Sequence, residues 1–366
     1  MPNPFIEEVL AKYPGVDRVA LVFPPEADDW NETEVDLFIG SGGFLKPKKK
    51  KTAPASAAGV VAVPRLVSRT LPLPALATSD WWVNNPNPQA KVRLFCAMGI
   101  GSVASTYGPW VSKATAEAYP EVEICVVEFP GHGTNFGEPL NSVEAAADRL
   151  EAEIRRCHFG TGGSQRPLAL FGFSMGANVM YCVARRLGAS CCKLYLAGRA
   201  PPHFPAPIRD QQAPQIAKVE ELLQGSDIDA VAHTLLEDVL PLFMAPAQLK
   251  TYTRIIEGRL LREEGRQEIR RFAQSLVADC RIGMDANELP RDFAGDISFY
   301  HSTADETWPS ACEGLYQDFP HLWQSYTTGT FATHESAPVS HDELGSVTSP
   351  IFNVICKDLA QLFKSC

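Results

Sequence analysis

From about residue 80 onward, short apolar runs alternate with stretches whose apolar residues recur every three or four positions. The runs Val92–Ala97, Val122–Phe129, Leu168–Phe171 and Lys193–Ala197 have the length and composition of buried strands. Between them, Ser105–Ala118 and Ser142–Cys157 carry helical spacing. So does the stretch opening at Met175, where Ala177, Met180, Val183, Ala184 and Leu187 recur in helical register and Arg185, Arg186 and Gly188 mark the end. Strand and helix in turn predict an α/β domain on a mostly parallel, doubly wound sheet. Residues 203 to about 290 interrupt the alternation with mainly helical patterns. After them Ile297–Tyr300 and Thr327–Thr333 read as strands and Ile351–Lys364 as a closing helix.

The chain ahead of this pattern differs in kind. Residues 1–45 hold a helix-like stretch, Phe5–Lys12, and strand-like Val16–Phe23 and Glu34–Ile39, too little to bury a core of their own. Lys46-Pro-Lys-Lys-Lys-Lys51 and the Ala- and Pro-containing residues after it read as a flexible basic linker over 46–77. The main domain is therefore placed at 78–366, with its helical insertion at about 203–290.

Composition narrows the classes. With 366 residues and 45% hydrophobic content, the chain can bury one large core. A net charge of −10 argues against general nucleic-acid binding, which wants a basic footprint. No run approaches the ~18 apolar residues of a membrane span. The opening Met-Pro-Asn-Pro-Phe-Ile-Glu-Glu lacks the regions of a signal peptide, so a cytoplasmic protein is expected. The ten cysteines show no paired metal spacing, and several lie in apolar runs, which is the pattern of reduced thiols.

The chemistry concentrates where the third of these strands meets its helix. Gly172-Phe-Ser174-Met-Gly176 places Gly-x-Ser-x-Gly at that junction, the arrangement of a nucleophile elbow. A sharp strand-to-helix turn strains the serine backbone and leaves no room for side chains two positions either side, hence the glycines. It also sets the Ser174 hydroxyl at a helix N-terminus, where the Met175 amide can donate to a developing oxyanion. Elbow, sheet and insertion together predict an α/β-hydrolase fold with a helical lid.

Such a serine needs a base and an orienting acid, which in this fold follow in the order Ser, Asp or Glu, His. Asp305 stands just past the strand Ile297–Tyr300, at the rim where open sheets place their chemistry. Two histidines, His334 and His341, lie ahead of the closing helix, and spacing does not choose between them. The acidic helix start after His341 tips the balance slightly its way. His132 precedes the serine and His301 sits inside a strand, so both rank lower. A second oxyanion donor is expected from Phe95-Cys-Ala-Met-Gly-Ile-Gly-Ser102, as the amide of Met98, Gly99 or Ile100.

These segments, with others, carry a family likeness. Arg93-Leu-Phe-Cys-Ala-Met-Gly-Ile-Gly-Ser102 and the residues to Trp110, Glu128-Phe-Pro-Gly-His-Gly133 with Glu138-Pro139, Pro167 to Ala177, and Leu196-Ala-Gly-Arg-Ala-Pro201 come in the order of type II thioesterase signatures. Ser275-Leu-Val-Ala-Asp-Cys280 is similar to that family's lid exit, His301-Ser-Thr-Ala-Asp305 to its acid loop, and Trp323 with Tyr326 to Phe331 to the approach to its histidine. The chain thus resembles, over about residues 79–366, the stand-alone thioesterases of polyketide and nonribosomal peptide synthases. The resemblance implies Ser174 as nucleophile, Asp305 as orienting acid, His341 as base, and the amides of Met175 and Ile100 as oxyanion donors. It departs at Phe173, where the family has His, at Met98 and Gly101-Ser102, and at Val339-Ser-His-Asp-Glu343, where the family has Gly-Gly-His-Phe-Phe.

The activity implied is hydrolysis of acyl or peptidyl thioesters on phosphopantetheinyl carrier proteins, through an acyl-enzyme. No metal or cofactor is implied, since the phosphopantetheine arm belongs to the substrate. The expected partner is the acyl or peptidyl carrier protein of a synthase, met by a monomer. Arg259, Arg262, Arg266 and Arg270 recur at spacings of three or four and form a candidate docking stripe, interleaved with Glu263, Glu264 and Glu268 that can pair with it locally. A carboxylesterase or acyltransferase would use the same triad, and an inactive hydrolase-fold interaction protein would keep the frame without the chemistry.

Overall fold

Seven strands, β1 (Trp82–Asn84), β2 (Val92–Ala97), β3 (Val122–Val127), β4 (Leu168–Phe173), β5 (Cys191–Ala197), β6 (Asp296–His301) and β7 (Phe331–Glu335), join in one sheet of order β1-β3-β2-β4-β5-β6-β7. The computed structural model describes residues 75–159, 168–201, 209–242, 246–285, 289–305 and 319–364. The expected extension over 1–45, and the linker up to residue 74, lie outside them. β1 runs antiparallel to β3, and all other neighbours pair in parallel.

Both faces of the sheet are covered, which is why its strands read as apolar runs. On one face Phe95, Ala97, Leu168, Leu170, Leu194 and Phe299 pack with helices α2 (Val143–Ile154) and α3 (Met175–Leu187). Leu94, Cys96, Ile124, Phe171 and Tyr300 form the other face, under the last helix, which spans Pro350–Lys364. There Trp110 stacks on Phe352, with centroids 4.2 Å apart and planes at 6°. At the N-terminal end of the strands, buried Arg93 donates to Glu123 Oε2 at 2.8 Å and meets His158 Nδ1 at 2.9 Å. Glu123 also accepts from Asn84 at 2.8 Å, so one buried polar network ties β1, β2, β3 and the end of α2.

Between β5 and β6 the chain leaves the sheet as α4 (Arg209–Gln224), α5 (Ile228–Thr234), α6 (Pro246–Leu260) and α7 (Glu263–Met284). Ile216, Val219, Val231, Leu235, Ile269 and Leu276 give this lid a core of its own, against which Ile100 of the main domain also packs. No helix among the described residues is long and apolar enough to cross a membrane. The eight described cysteines are free thiols, seven of them buried.

Two expectations need correction. The helix expected over Ser105–Ala118 is a 3-10 turn, Ala104–Tyr107, followed after a break by α1, Lys113–Ala118. Pro109 has no N–H to continue a helical ladder, and the Ser112 hydroxyl restarts it by accepting from Thr115 N–H at 3.2 Å. The strand expected over Thr327–Thr333 begins at Phe331, because the Thr327 hydroxyl is engaged in a turn, donating to Phe293 O at 3.0 Å and accepting from Gly329 N–H at 2.8 Å. β1 has too few residues to register as a sequence pattern.

Candidate active site

Among the described residues Ser174 is the one non-glycine residue with a positive φ, at 52°. The strain therefore sits on the hydroxyl-bearing residue between β4 and α3. Its N–H donates to Ala197 O at 2.9 Å and its carbonyl accepts from Ala177 N–H at 3.0 Å, which fastens the turn to β5 and to the helix it opens. A Cβ on Gly172 would come within 2.5 Å of Ala177 Cα, and one on Gly176 within 2.2 Å of Ala97 O. Both collisions are with backbone, so no rotamer relieves them. Gly176→Ala is expected to lose about 3 kcal/mol of stability, read as a lower urea midpoint at unchanged m-value.

Ser174, His341 and Asp305 meet at the C-terminal rim of the sheet. His341 Nε2 lies 3.0 Å from Ser174 Oγ, and Nδ1 lies 2.8 Å from Asp305 Oδ2. With a carboxylate at Nδ1, that nitrogen carries the proton and Nε2 is left to accept from the serine hydroxyl. His341 opens a one-turn helix, His341–Leu344, whose Ser340 and Glu343 form a capping box. Ser302 joins the acid loop to this segment, since its hydroxyl donates to Val339 O at 2.7 Å and accepts from Val339 N–H at 2.9 Å. Phe173 lies against the imidazole, with ring centroids 4.7 Å apart. Gly345 makes room for it, since a Cβ there would come within 2.2 Å of the Phe173 ring.

The other histidines are placed elsewhere. His334 lies within β7 and stacks on Tyr300 at 4.6 Å, where burial and the Lys193 charge hold it below the usual histidine range. His301 lies on β6 beside Phe299, and burial lowers it too. His132 is buried, with Nε2 2.9 Å from Asp279 Oδ2 on α7.

The glycine-containing loop after β2 reaches the serine, for a Cβ on Gly99 would stand 3.2 Å from Ser174 Cβ. Ser102 N–H donates to Gly99 O at 3.2 Å and Gly101 has φ 71°, the marks of a type II turn centred on Ile100 and Gly101. Beyond it, Ala104 N–H donates to Glu128 Oε1 at 3.0 Å. Burial pushes the Glu128 carboxyl up to about 7, against the opposing pull of that N–H and of His132. A folded-state value above the ordinary 4.5 means that the fold holds this proton more tightly than the unfolded chain does. Its contribution to stability is therefore present below about pH 4.5 and lost as pH rises through about 7. Thermal melts of the parent should fall across this window more steeply than those of Glu128→Gln.

Just past β5, Arg199 Nη2 donates to Gly283 O at 2.5 Å near the end of α7, and burial pulls this guanidinium down to about 10. The stripe of lid arginines is largely engaged within the lid. Arg266 pairs with Asp229, Arg270 donates to Leu223 O at 2.7 Å, and Arg259 lies 3.8 Å from Glu268. Asp279 belongs to no catalytic motif, although an acid beside Leu276, Val277 and Cys280 on a helix face turned to the core is a signal of a buried partner.

The parallel sheet, the strained serine between β4 and α3 and the helical insertion after β5 are those of the α/β-hydrolase class. A family model described as Thioesterase domain matches residues 92–334, and the chain belongs to that family. Gramicidin S biosynthesis protein GrsT of Aneurinibacillus migulanus is 30% identical over 139 residues, 36% of this chain and 50% of that protein. Linear gramicidin dehydrogenase LgrE of Brevibacillus parabrevis is 32% identical over 132 residues, 34% of this chain and 47% of that protein. The chain thus spans about half the length of these curated relatives. Solved structures share the fold. The type II thioesterase BorB from the borrelidin biosynthetic cluster matches with a TM-score of 0.51 at 19% identity, over 77% of this chain and 99% of that one. A mutant of YbtT, the type II thioesterase of the yersiniabactin pathway, matches with 0.52 at 17%, over 77% and 97%.

Proposed function

We propose that the chain hydrolyses acyl or peptidyl thioesters presented on the phosphopantetheine arm of a carrier protein. The observation that carries this reading is the hydrogen-bonded series Ser174, His341, Asp305, set at the elbow of a thioesterase-family domain. His341 Nε2 takes the Ser174 proton as Oγ attacks the thioester carbonyl. The oxyanion is received by the amides of Met175, at the start of α3, and Ile100, in the turn beside Ser174. Collapse expels the thiol, which leaves with the proton from His341. Water, deprotonated by the same imidazole, then attacks the acyl-enzyme, and the free acid departs as the serine recovers its proton. Asp305 holds the imidazole in the tautomer that both half-reactions need. Nucleophile, base and acid all come from the chain, so the mechanism calls on no metal or cofactor.

A relative named for gramicidin S biosynthesis supports a carrier-bound peptidyl or acyl substrate, released or cleared from a synthase. The test is single-turnover acyl release from an acyl-phosphopantetheinyl carrier protein, beside a p-nitrophenyl ester series. Rapid release from the carrier, lost in Ser174→Ala, is the expected result. Ester cleavage with the carrier untouched would make the chain a carboxylesterase, and no turnover with no labelling of Ser174 by a fluorophosphonate would make it an interaction protein.

A further inference from the structure

The turn that carries Ile100 is held from outside, and the hold comes from the lid. Gly101 N–H donates to Asp279 Oδ2 at 2.8 Å, and the same oxygen meets His132 Nε2 at 2.9 Å. Asp279 is 2% exposed and His132 6%, so water does not compete for either. The other imidazole nitrogen, Nδ1, lies 3.3 Å from Pro130 O. With a carboxylate at one ring nitrogen and a carbonyl at the other, both nitrogens donate, and His132 is an imidazolium paired with a carboxylate. One turn earlier on α7, the Ser275 hydroxyl donates to Gly131 O at 2.7 Å, so the lid helix grips the 130–132 loop at two successive turns.

The peptide held by Asp279 joins Ile100 to Gly101. In a turn of this kind, fixing the central peptide restrains the amide before it, the Ile100 N–H, in a loop whose Gly99 stands against Ser174. The Ile100 side chain is gripped as well, since a Cβ on Gly283, one turn beyond Asp279, would come within 3.0 Å of Ile100 Cδ1. Accepting the reading of Ser174 as nucleophile, we propose that Asp279, on lid helix α7 and paired with His132, is a positioning residue that aims the oxyanion amide of Ile100. Lid helix α7 and the chemistry are then coupled through one buried carboxylate, and not through the other contacts of the lid.

The test compares Asp279→Asn with Ser275→Ala, which breaks the neighbouring lid contact and leaves the turn alone. Asp279→Asn should lower kcat by about 10- to 100-fold with little change in KM, and weaken a boronic acid that forms a tetrahedral adduct on Ser174 by the same factor. Ser275→Ala should lower the melting temperature with kcat unchanged. A third variant, His132→Gln, reads the pair when Asp279→Asn folds poorly. The charged groups facing His132 are Asp279 from α7 and Glu128 from its own loop; burial works against the imidazolium, and Asp279 outweighs it to lift the group to about 9. The parent should lose kcat above about pH 9, and His132→Gln should not. Unchanged kcat and boronate affinity in Asp279→Asn, equal kcat losses in Asp279→Asn and Ser275→Ala, or an alkaline limb that persists in His132→Gln would each overturn the proposal. Boronate binding that survives Ser174→Ala would remove the nucleophile reading itself, a distinct failure.

Discussion

His341→Ala is expected to slow acylation of Ser174 by about 10⁶-fold, while His334→Ala stays close to the parental rate. The contrast follows from geometry. His341 Nε2 is 3.0 Å from the serine hydroxyl, and its loss leaves the elbow standing with no group to take the proton. His334 belongs to β7, stacked on Tyr300, and the hydrogen bonds joining Ser174, His341 and Asp305 do not pass through it. Burst kinetics with a p-nitrophenyl ester and the rate of fluorophosphonate labelling measure the step directly. An active His341→Ala protein would remove His341 as the base.

The second large effect is that of Asp305→Asn, expected to lower kcat by about 10⁴-fold with the fold intact. The Asp305 side chain is fully buried, 2.8 Å from His341 Nδ1. A carboxylate there can only accept, so Nδ1 carries hydrogen and Nε2 is free to receive the serine proton. Asparagine can present its NH₂ instead, which favours hydrogen on Nε2, the wrong nitrogen for a base. Burial denies water the chance to substitute. The pH profile separates this from a simple loss of packing, because activity in Asp305→Asn should rise steeply with hydroxide while the melting temperature stays near that of the parent.

How much of this was legible in the sequence depended on how local each signal was. Strands β2 to β6 announce themselves because burial on both faces makes them short apolar runs, and the elbow is legible because its two glycines and serine fall within five residues, although Gly176 answers a collision with distant Ala97. The short edge strand β1 acquires its identity only by pairing with β3, and no pattern over three residues can carry that. The break in the helix expected over 105–118 was written in Pro109 and Ser112 but hidden by apolar spacing that continues across it. Ser174, His341 and Asp305 are joined across 167 and 36 residues, so their meeting depends on strand order. Between His334 and His341 the choice was closed to spacing, because it turns on where β7 begins. The partners of Asp279, 178 and 147 residues away, left no trace beyond the place of that acid on an apolar helix face.

The lid leaves the sheet after β5, returns before β6 and folds around its own interior of Ile216, Val219, Val231 and Leu235. A segment built this way behaves as a cassette. Its length and lining can drift over generations without any strand having to repack, so the range of acids released can diverge while the machinery beneath is inherited unchanged. The one constraint on such drift is that each new cassette must still deliver a carboxylate where α7 crosses the turn of Ile100.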